Sequence, residues 1–351
     1  MPASLLEVLG SKWPLIQAPM AGVQGSALAA AVCHAGGLGS LPCAMLSVEA
    51  MRAELATLRR QTGAPFNVNF FCHRPPQANA EREAAWRERL TPYYAELGLD
   101  PVAARSTGAR TPFGAEAAEV LAEFKPAVVS FHFGLPSEEL LGRVRAWGAR
   151  ILSSATTVEE ARWLEARGVD AIIAQGLEAG GHRGSFLSDA LHLQAGTFAL
   201  LPQIVRAVQV PVIAAGGIAD ATGVAAAMRL GAAGVQVGTA YLLCPEATTS
   251  AVHRGALKSG DSHVTALTNV FSGRPARGIV NRMMRELGPI SELAPAFPLA
   301  AEAVAPLRAK AEALGRGDFS PLWAGQNTSG CEEVRASELT RRLARGFDGA
   351  R

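Results

Sequence analysis

Lysine is scarce in this chain. Only Lys12, Lys125, Lys258 and Lys310 stand among 33 basic side chains, the rest being arginine. No block of basic residues occurs, and 33 basic against 31 acidic residues leave a net charge of +2. That balance excludes nucleic acid as the main partner, because a polyanion is held by clustered cations. The five cysteines, Cys33, Cys43, Cys72, Cys244 and Cys331, are odd in number and form no C-x-x-C pair. No zinc or other metal site is therefore expected, and reduced thiols fit best. Nothing approaches the roughly 20 uninterrupted apolar residues of a membrane span. Residues Met1–Trp13 carry Glu7 inside their only apolar stretch and lack a basic lead-in, so no secretory signal is read there. The expectation is a cytoplasmic protein with no membrane partner. A Gly-x-Gly-x-x-Gly after the first strand is also missing, which weighs against a dinucleotide fold. Ser153-Ser154 lacks the flanking glycines of a nucleophile elbow, which weighs against a hydrolase.

What the chain does contain is a rhythm. Short apolar runs bounded by Gly and Pro recur at Pro14–Met20, Gly37–Pro42, Phe66–Phe71, Ala127–Phe133, Arg150–Ala155, Ala171–Gln175, Pro211–Ala215 and Gly234–Gly238. Most are apolar along their length, as strands buried on both faces must be. Amphipathic stretches such as Val158–Arg167 and Ala221–Leu230 lie between them, with Thr157 and Asp220 as starts and Gly168 and Gly231 as stops. Eight strand-like runs alternating with helices predict an α/β fold, a TIM (β/α)8 barrel. Such a barrel takes about 250 residues, so 351 residues leave room for additions. We assign residues 1–238 to the barrel core with an inserted helix and loop at 72–126. Residues 239–315 read as a small helical cap, and 316–351 as a C-terminal helical segment packing back on the barrel.

Ligands of such barrels meet the C-terminal ends of strands and the loops beyond them. Here those ends carry Met20-Ala21-Gly22, Asn69, His132 within Ser130–Gly134, and Gln175 followed by Gly180-Gly181-His182. Then come Gly216-Gly217 and Gln236-Val237-Gly238-Thr239. Paired glycines let backbone approach a flat ligand, and a single imidazole after them can exchange a proton with it. Gly216-Gly217 before a helix, with Gly238-Thr239 one strand–helix–strand step later, is the usual placing of a phosphate site.

These motifs resemble the nitronate monooxygenase family, formerly the 2-nitropropane dioxygenases. The likeness runs from Pro14–Gly22 to Asn269-Val270-Phe271-Ser272-Gly273-Arg274-Pro275-Ala276-Arg277-Gly278, and Val129–Gly134 with the long insertion resembles class I in particular. The Glu-Ala-Gly-Gly-His loop at 178–182 is shared with flavin-dependent enoyl-acyl-carrier-protein and quinone reductases. The resemblance implies FMN held by Met20, Ala21, Asn69, Gln175, Gly180, Gly181, Gly216, Gly217, Gln236, Val237, Gly238 and Thr239. It implies His182 as catalytic base and His132 as a cavity residue near the flavin. The implied reaction is oxidation of a small anionic nitronate, such as propionate 3-nitronate, by one-electron transfer to flavin. Reaction with O2 then gives a carbonyl compound with nitrite or nitrate, a detoxification. A monomer or homodimer is expected.

Two further readings stay open at this level. One is an NAD(P)H-dependent flavin reductase, and the other is a barrel that handles a sugar phosphate without redox chemistry. Arg274 and Arg277 could meet an anionic substrate or hold the cap to the barrel. His34, His73, His192, His253 and His263 read as ordinary polar positions.

Overall fold

The computed structural model describes residues 4–101 and 110–348. A short helix, α1 (Leu5–Leu9), precedes the first strand, β1 (Leu15–Gln17). Strands and helices then alternate: α2 (Ser26–His34), β2 (Ser40–Pro42), α3 (Val48–Gln61), β3 (Asn67–Phe71), α4 (Ala80–Glu96), α5 (Ala115–Phe124) and β4 (Val128–His132). They continue as α6 (Glu138–Arg145), β5 (Arg150–Ala155), α7 (Val158–Glu165), β6 (Ala171–Gln175) and the two-residue β7 (Gly181–His182). The series ends with α8 (Thr197–Ala207), β8 (Val212–Ala215), α9 (Ala221–Arg229) and β9 (Gly234–Val237).

Eight of these strands form one parallel sheet in the order β1-β9-β8-β6-β5-β4-β3-β2. A parallel bridge between Ile16 and Leu38, beside β2, brings the two edges together. The sheet is thus a (β/α)8 barrel, and each strand falls inside one of the apolar runs read from the sequence. Inside it, Ile16, Leu38, Val128, Leu152, Ile173 and Ile213 pack as one buried cluster with Leu5, Val8 and Leu9 of α1. The first helix therefore plugs the N-terminal mouth, which leaves the opposite mouth for function. Ser4 and Glu7 form a reciprocal capping box that fixes its start.

Beyond β9 come α10 (Ala251–Lys258), β10 (Thr265–Thr268), β11 (Ala276–Ile279), α11 (Arg282–Leu287), α12 (Ala300–Ala313) and α13 (Ala336–Asp348). Here the structure differs from the sequence reading. Segment 239–315 is not purely helical, because β10 and β11 form an antiparallel hairpin that extends onto β7. The alanine and arginine content suggested helix, but tertiary pairing with the β7 loop decides the conformation. Segment 316–351 is likewise irregular as far as α13. That last helix packs between α2 and α9, in the place of the eighth barrel helix, so the barrel is completed by residues far beyond 238. Gly346 allows the close approach, since a Cβ there would lie 2.3 Å from the Ala221 carbonyl oxygen.

The 72–126 insertion is also not separate from the cap. Trp86, Leu90, Tyr93 and Tyr94 of α4 share one buried cluster with Ala300, Val304 and Leu307 of α12. The Trp86 indole donates to the Ala300 carbonyl (3.3 Å) and the Tyr94 hydroxyl to the Ala303 carbonyl (2.6 Å). Buried aromatics of this size each stabilise by about 1.5–3 kcal/mol, enough to hold the two additions as one lobe. The Pro/Gly/Thr-punctuated middle of the insertion lies largely outside the described residues.

Candidate active site

The C-terminal mouth of the barrel opens into a cavity of about 1360 Å³, counting its open side. Met20, Ala21, Asn69, Gln175, Gly180, Gly181, Gly216, Gly217, Gln236, Gly238 and Thr239 all line it, with His132 and His182. Val237 does not. It alternates away from Gln236 along β9, and its side chain is buried in the layer between strands and helices. Only its backbone carbonyl faces a neighbouring loop, accepting from Ala18 N at 2.8 Å.

One wall is glycine backbone. Gly181 has φ +72°, and none of the described residues comes within 4 Å of where a Cβ would stand. Gly216 and Gly217 follow one another at φ +120° and +73°, conformations that strain any L side chain. Gln236 presents a buried side-chain oxygen with no partner among the described residues. An open trough of bare backbone ending in an unsatisfied acceptor suits a flat, polar ligand.

The segment after α12 was not foreseen as part of the site. Residues 323–327 cross the cavity mouth and join three motifs that are distant in sequence. Gln326 N donates to the Glu178 carbonyl (2.9 Å), Gly325 N to Thr239 Oγ1 (2.9 Å), and Asn327 Nδ2 to the Gly217 carbonyl (3.0 Å). The crossing is tight: a Cβ on Gly180 would lie 2.5 Å from Gly325 N, and one on Gly325 2.7 Å from the Glu178 carbonyl. Trp-Ala-Gly-Gln-Asn has no helical periodicity and contains a glycine, the only sequence signal that could have marked it.

The loop carrying His182 is held by buried side chains. Gln175 turns back on it, accepting from Gly184 N at 2.8 Å and donating to the His182 carbonyl at 3.0 Å. Both ends of that amide thus serve the loop. Arg183, fully buried, donates to the carbonyls of Gln175 and Gly176 (2.6 Å each) and to Gln194 Oε1 (2.5 Å). Arg277 on β11 donates to the Leu177 carbonyl (2.9 Å), so it is a brace between cap and loop. Arg274 lies over the Phe133 ring, 4.3 Å from its centroid, donates to the Ser185 carbonyl and sits 3.6 Å from Asp189. Neither arginine lines the cavity. Asn69 donates twice to Ser130, at its hydroxyl (2.9 Å) and its carbonyl (3.2 Å), which directs the amide's donors into the barrel wall.

His132 Nε2 faces the His182 carbonyl at 3.2 Å, and its Nδ1 faces Ser154 Oγ at 3.0 Å. A carbonyl can only accept, so Nε2 carries the hydrogen and Nδ1 accepts from the serine. Burial pushes this imidazole down to about 4, with a backbone bond to His182 opposing and Arg274 reinforcing the shift. His182 Nε2 lies 2.9 Å from Ser272 Oγ, and Ser272 Oγ also reaches the Arg274 carbonyl at 3.4 Å. A serine has one hydrogen, and both bonds form when it goes to the carbonyl while His182 Nε2–H donates to the serine. That arrangement leaves Nδ1 of His182 with the lone pair. Burial and then the charges of Arg110, His132, Arg274 and His73 hold His182 well below its ordinary value, so it is neutral and able to accept a proton.

Aromatic rings wall the space around it. The His182 ring centroid lies 5.1 Å from Phe297 and 5.5 Å from Trp323, with Phe133 and Phe71 at 6.1 and 6.3 Å. Phe133 reaches this position through a left-handed backbone, φ +69°, which costs roughly 1–2 kcal/mol for a residue with a Cβ. Arg110, on the cavity wall, adds a cation 5.5 Å from the Phe297 ring. The surroundings of His182 are aromatic and positively biased.

A model of the nitronate monooxygenase family matches residues 3–346. A curated relative from Pseudomonas aeruginosa, a nitronate monooxygenase, is 44% identical over 344 residues, covering 97% of this chain and 98% of its own. Among solved structures, a nitroalkane oxidase from Streptomyces ansochromogenes superposes with a TM-score of 0.89 at 39% identity, covering 99% of both chains. FabK from Thermotoga maritima superposes at 0.71 with 26% identity, covering 99% of this chain and 97% of its own.

Proposed function

The chain belongs to the nitronate monooxygenase family, and on that premise we propose that it oxidises small alkyl nitronates with O2, using FMN. The observation that carries the reading is the placing of neutral His182 between the glycine trough and the aromatic chamber. The trough would hold the cofactor. Backbone at Met20, Ala21, Gly180 and Gly181 would lie along the ring system, and Gln236 Oε1 would accept from one of its donors. Gly216, Gly217, Gly238 and Thr239 would receive the phosphate. Asp220 already caps α9 through Gly223 N (2.8 Å), so the loop glycines are left to meet the anion. FMN, when bound, supplies the electron acceptor between substrate and O2.

The protein's own contribution is placement and charge. A nitronate is an anion, and Arg110 with the guanidinium of Arg274 behind Phe133 makes the chamber favourable to one. For a neutral nitroalkane, Nδ1 of His182 takes the proton from the α-carbon, and Ser272 at Nε2 keeps that nitrogen turned to the task. The phenyl rings around His182 would narrow the space over the cofactor. This supports a small substrate over the enoyl thioester of a flavin reductase. The products would be a carbonyl compound with nitrite or nitrate.

The test is anaerobic mixing of the purified protein with propionate 3-nitronate, then separately with NADH and NADPH, following flavin absorbance. A rapid change with the nitronate and none with the nicotinamides is expected. Bleaching by NADH or NADPH, with no response to the nitronate, would make the protein a flavin reductase instead.

A further inference from the structure

His253 lies on α10, in the cap, and reads from sequence as an ordinary polar position. The structure makes it a wall of the same cavity. Its side chain is 4% exposed. Nε2 is buried with no partner among the described residues, and the backbone of Trp323 favours a proton on the ring. With Nε2 unpartnered, that proton is placed on Nδ1. Nε2 is left as a bare lone pair, an acceptor with nothing to accept. An unsatisfied buried acceptor is costly, so a bound molecule with a donor in the right place would relieve that penalty.

The position says which part of that molecule is concerned. Helix α10 packs on the turn Thr239–Leu243. Arg254, the next residue, fastens it there by donating to the carbonyls of Leu242 (3.3 Å) and Leu243 (2.8 Å). That turn begins with Thr239, at the phosphate end of the trough, and Leu242 and His253 line the cavity from the same side. Between a phosphate and a ring system, the donors of a flavin are the hydroxyls of its sugar-alcohol chain.

We propose that His253 is a cofactor-positioning residue whose Nε2 accepts a hydrogen bond from a hydroxyl of the bound flavin's ribityl chain. The inference rests on the flavin reading given above. The ring is suited to the task because it stays neutral. Burial first, and the charge of Arg308 next, hold it at about 4, while the backbone of Trp323 and the charge of Glu312 oppose the shift.

Flavin-stripped full-length protein, titrated with FMN and with lumiflavin while flavin fluorescence is followed, separates the possibilities. Lumiflavin has the ring system without the chain. His253→Phe should weaken FMN roughly tenfold, the worth of one buried hydrogen bond, and leave lumiflavin unchanged. His253→Gln, which restores a side-chain acceptor, should recover much of the loss, and a native far-ultraviolet circular dichroism spectrum in both variants shows that the fold survives. Unchanged FMN affinity in His253→Phe, or equal losses for FMN and lumiflavin, would overturn the assignment. Failure of the unsubstituted protein to bind either flavin would instead overturn the flavin reading on which it rests.

Discussion

The backbone carbonyl of His182 accepts a hydrogen bond from Nε2 of His132, 3.2 Å away, and a second from Gln175 Nε2 at 3.0 Å. The imidazole on β4 thus grips the peptide of the imidazole on β7. On the function proposed above, His132 would position the base, with Ser154 fixing the tautomer that lets it do so. His132→Phe keeps the ring shape and removes both bonds. Turnover of neutral nitroalkanes should fall by about tenfold or more, that of preformed nitronates far less, while FMN affinity stays near its original value. A parallel loss of FMN would show that His132 holds the cofactor instead.

Replacing His182 by Asn should separate two substrate classes. Neutral nitroalkanes need a proton removed and should lose roughly 10²–10⁴-fold in kcat/KM, whereas preformed nitronates should lose far less. Steady-state rates on nitroethane and on its nitronate give the comparison. Equal losses on the two would count against His182 as base.

Gly217 sits at φ +73° on the trough wall, where any side chain is strained. Gly217→Leu should purify with markedly less flavin, read as the ratio of visible to protein absorbance. Full flavin content would remove the phosphate assignment from this turn.

Acid should destabilise the fold through its buried histidines. His132 and His253 are each held near 4 by burial, against about 6.5 when unfolded. Between those values the unfolded chain binds more protons, so stability is fully present above about pH 6.5 and is lost as the pH falls towards 4. The melting temperature should decline across that window, and His253→Gln should make the decline shallower. An identical slope in the variant would mean that His253 titrates alike in both states.

Arg183→Met would leave the carbonyls of Gln175 and Gly176 without their buried donor. Removing these charge-assisted bonds should cost about 2–4 kcal/mol, seen as a lower urea midpoint, and should weaken flavin binding because the His182 loop loses its brace. An unchanged midpoint would mean that the loop is held by Arg277 and Gln175 alone.

Much of the barrel was legible in the sequence because a strand buried on both faces has to be apolar throughout, and the glycines and prolines that end it are equally visible. The observed strands are trimmed at their ends relative to those runs, since β1 pairs only over Leu15–Gln17. The cavity residues were legible for a related reason: polar groups and glycines at strand ends contrast with an otherwise apolar chain. Val237 was grouped with them by proximity, but side chains alternate along a strand, and it faces the other way.

The sequence by itself determined the barrel, the mouth at which glycines and polar groups gather and the two histidines that meet there, because each depends on local periodicity or a local motif. Tertiary structure alone decided the rest. It paired β10 and β11 with β7, carried α13 back to complete the barrel, laid Trp323–Asn327 across the cavity and turned His253 into its wall. None of these has a local signature. Each is fixed by partners scores of residues away, through backbone hydrogen bonds and buried contacts that exist only once the chain has closed on itself.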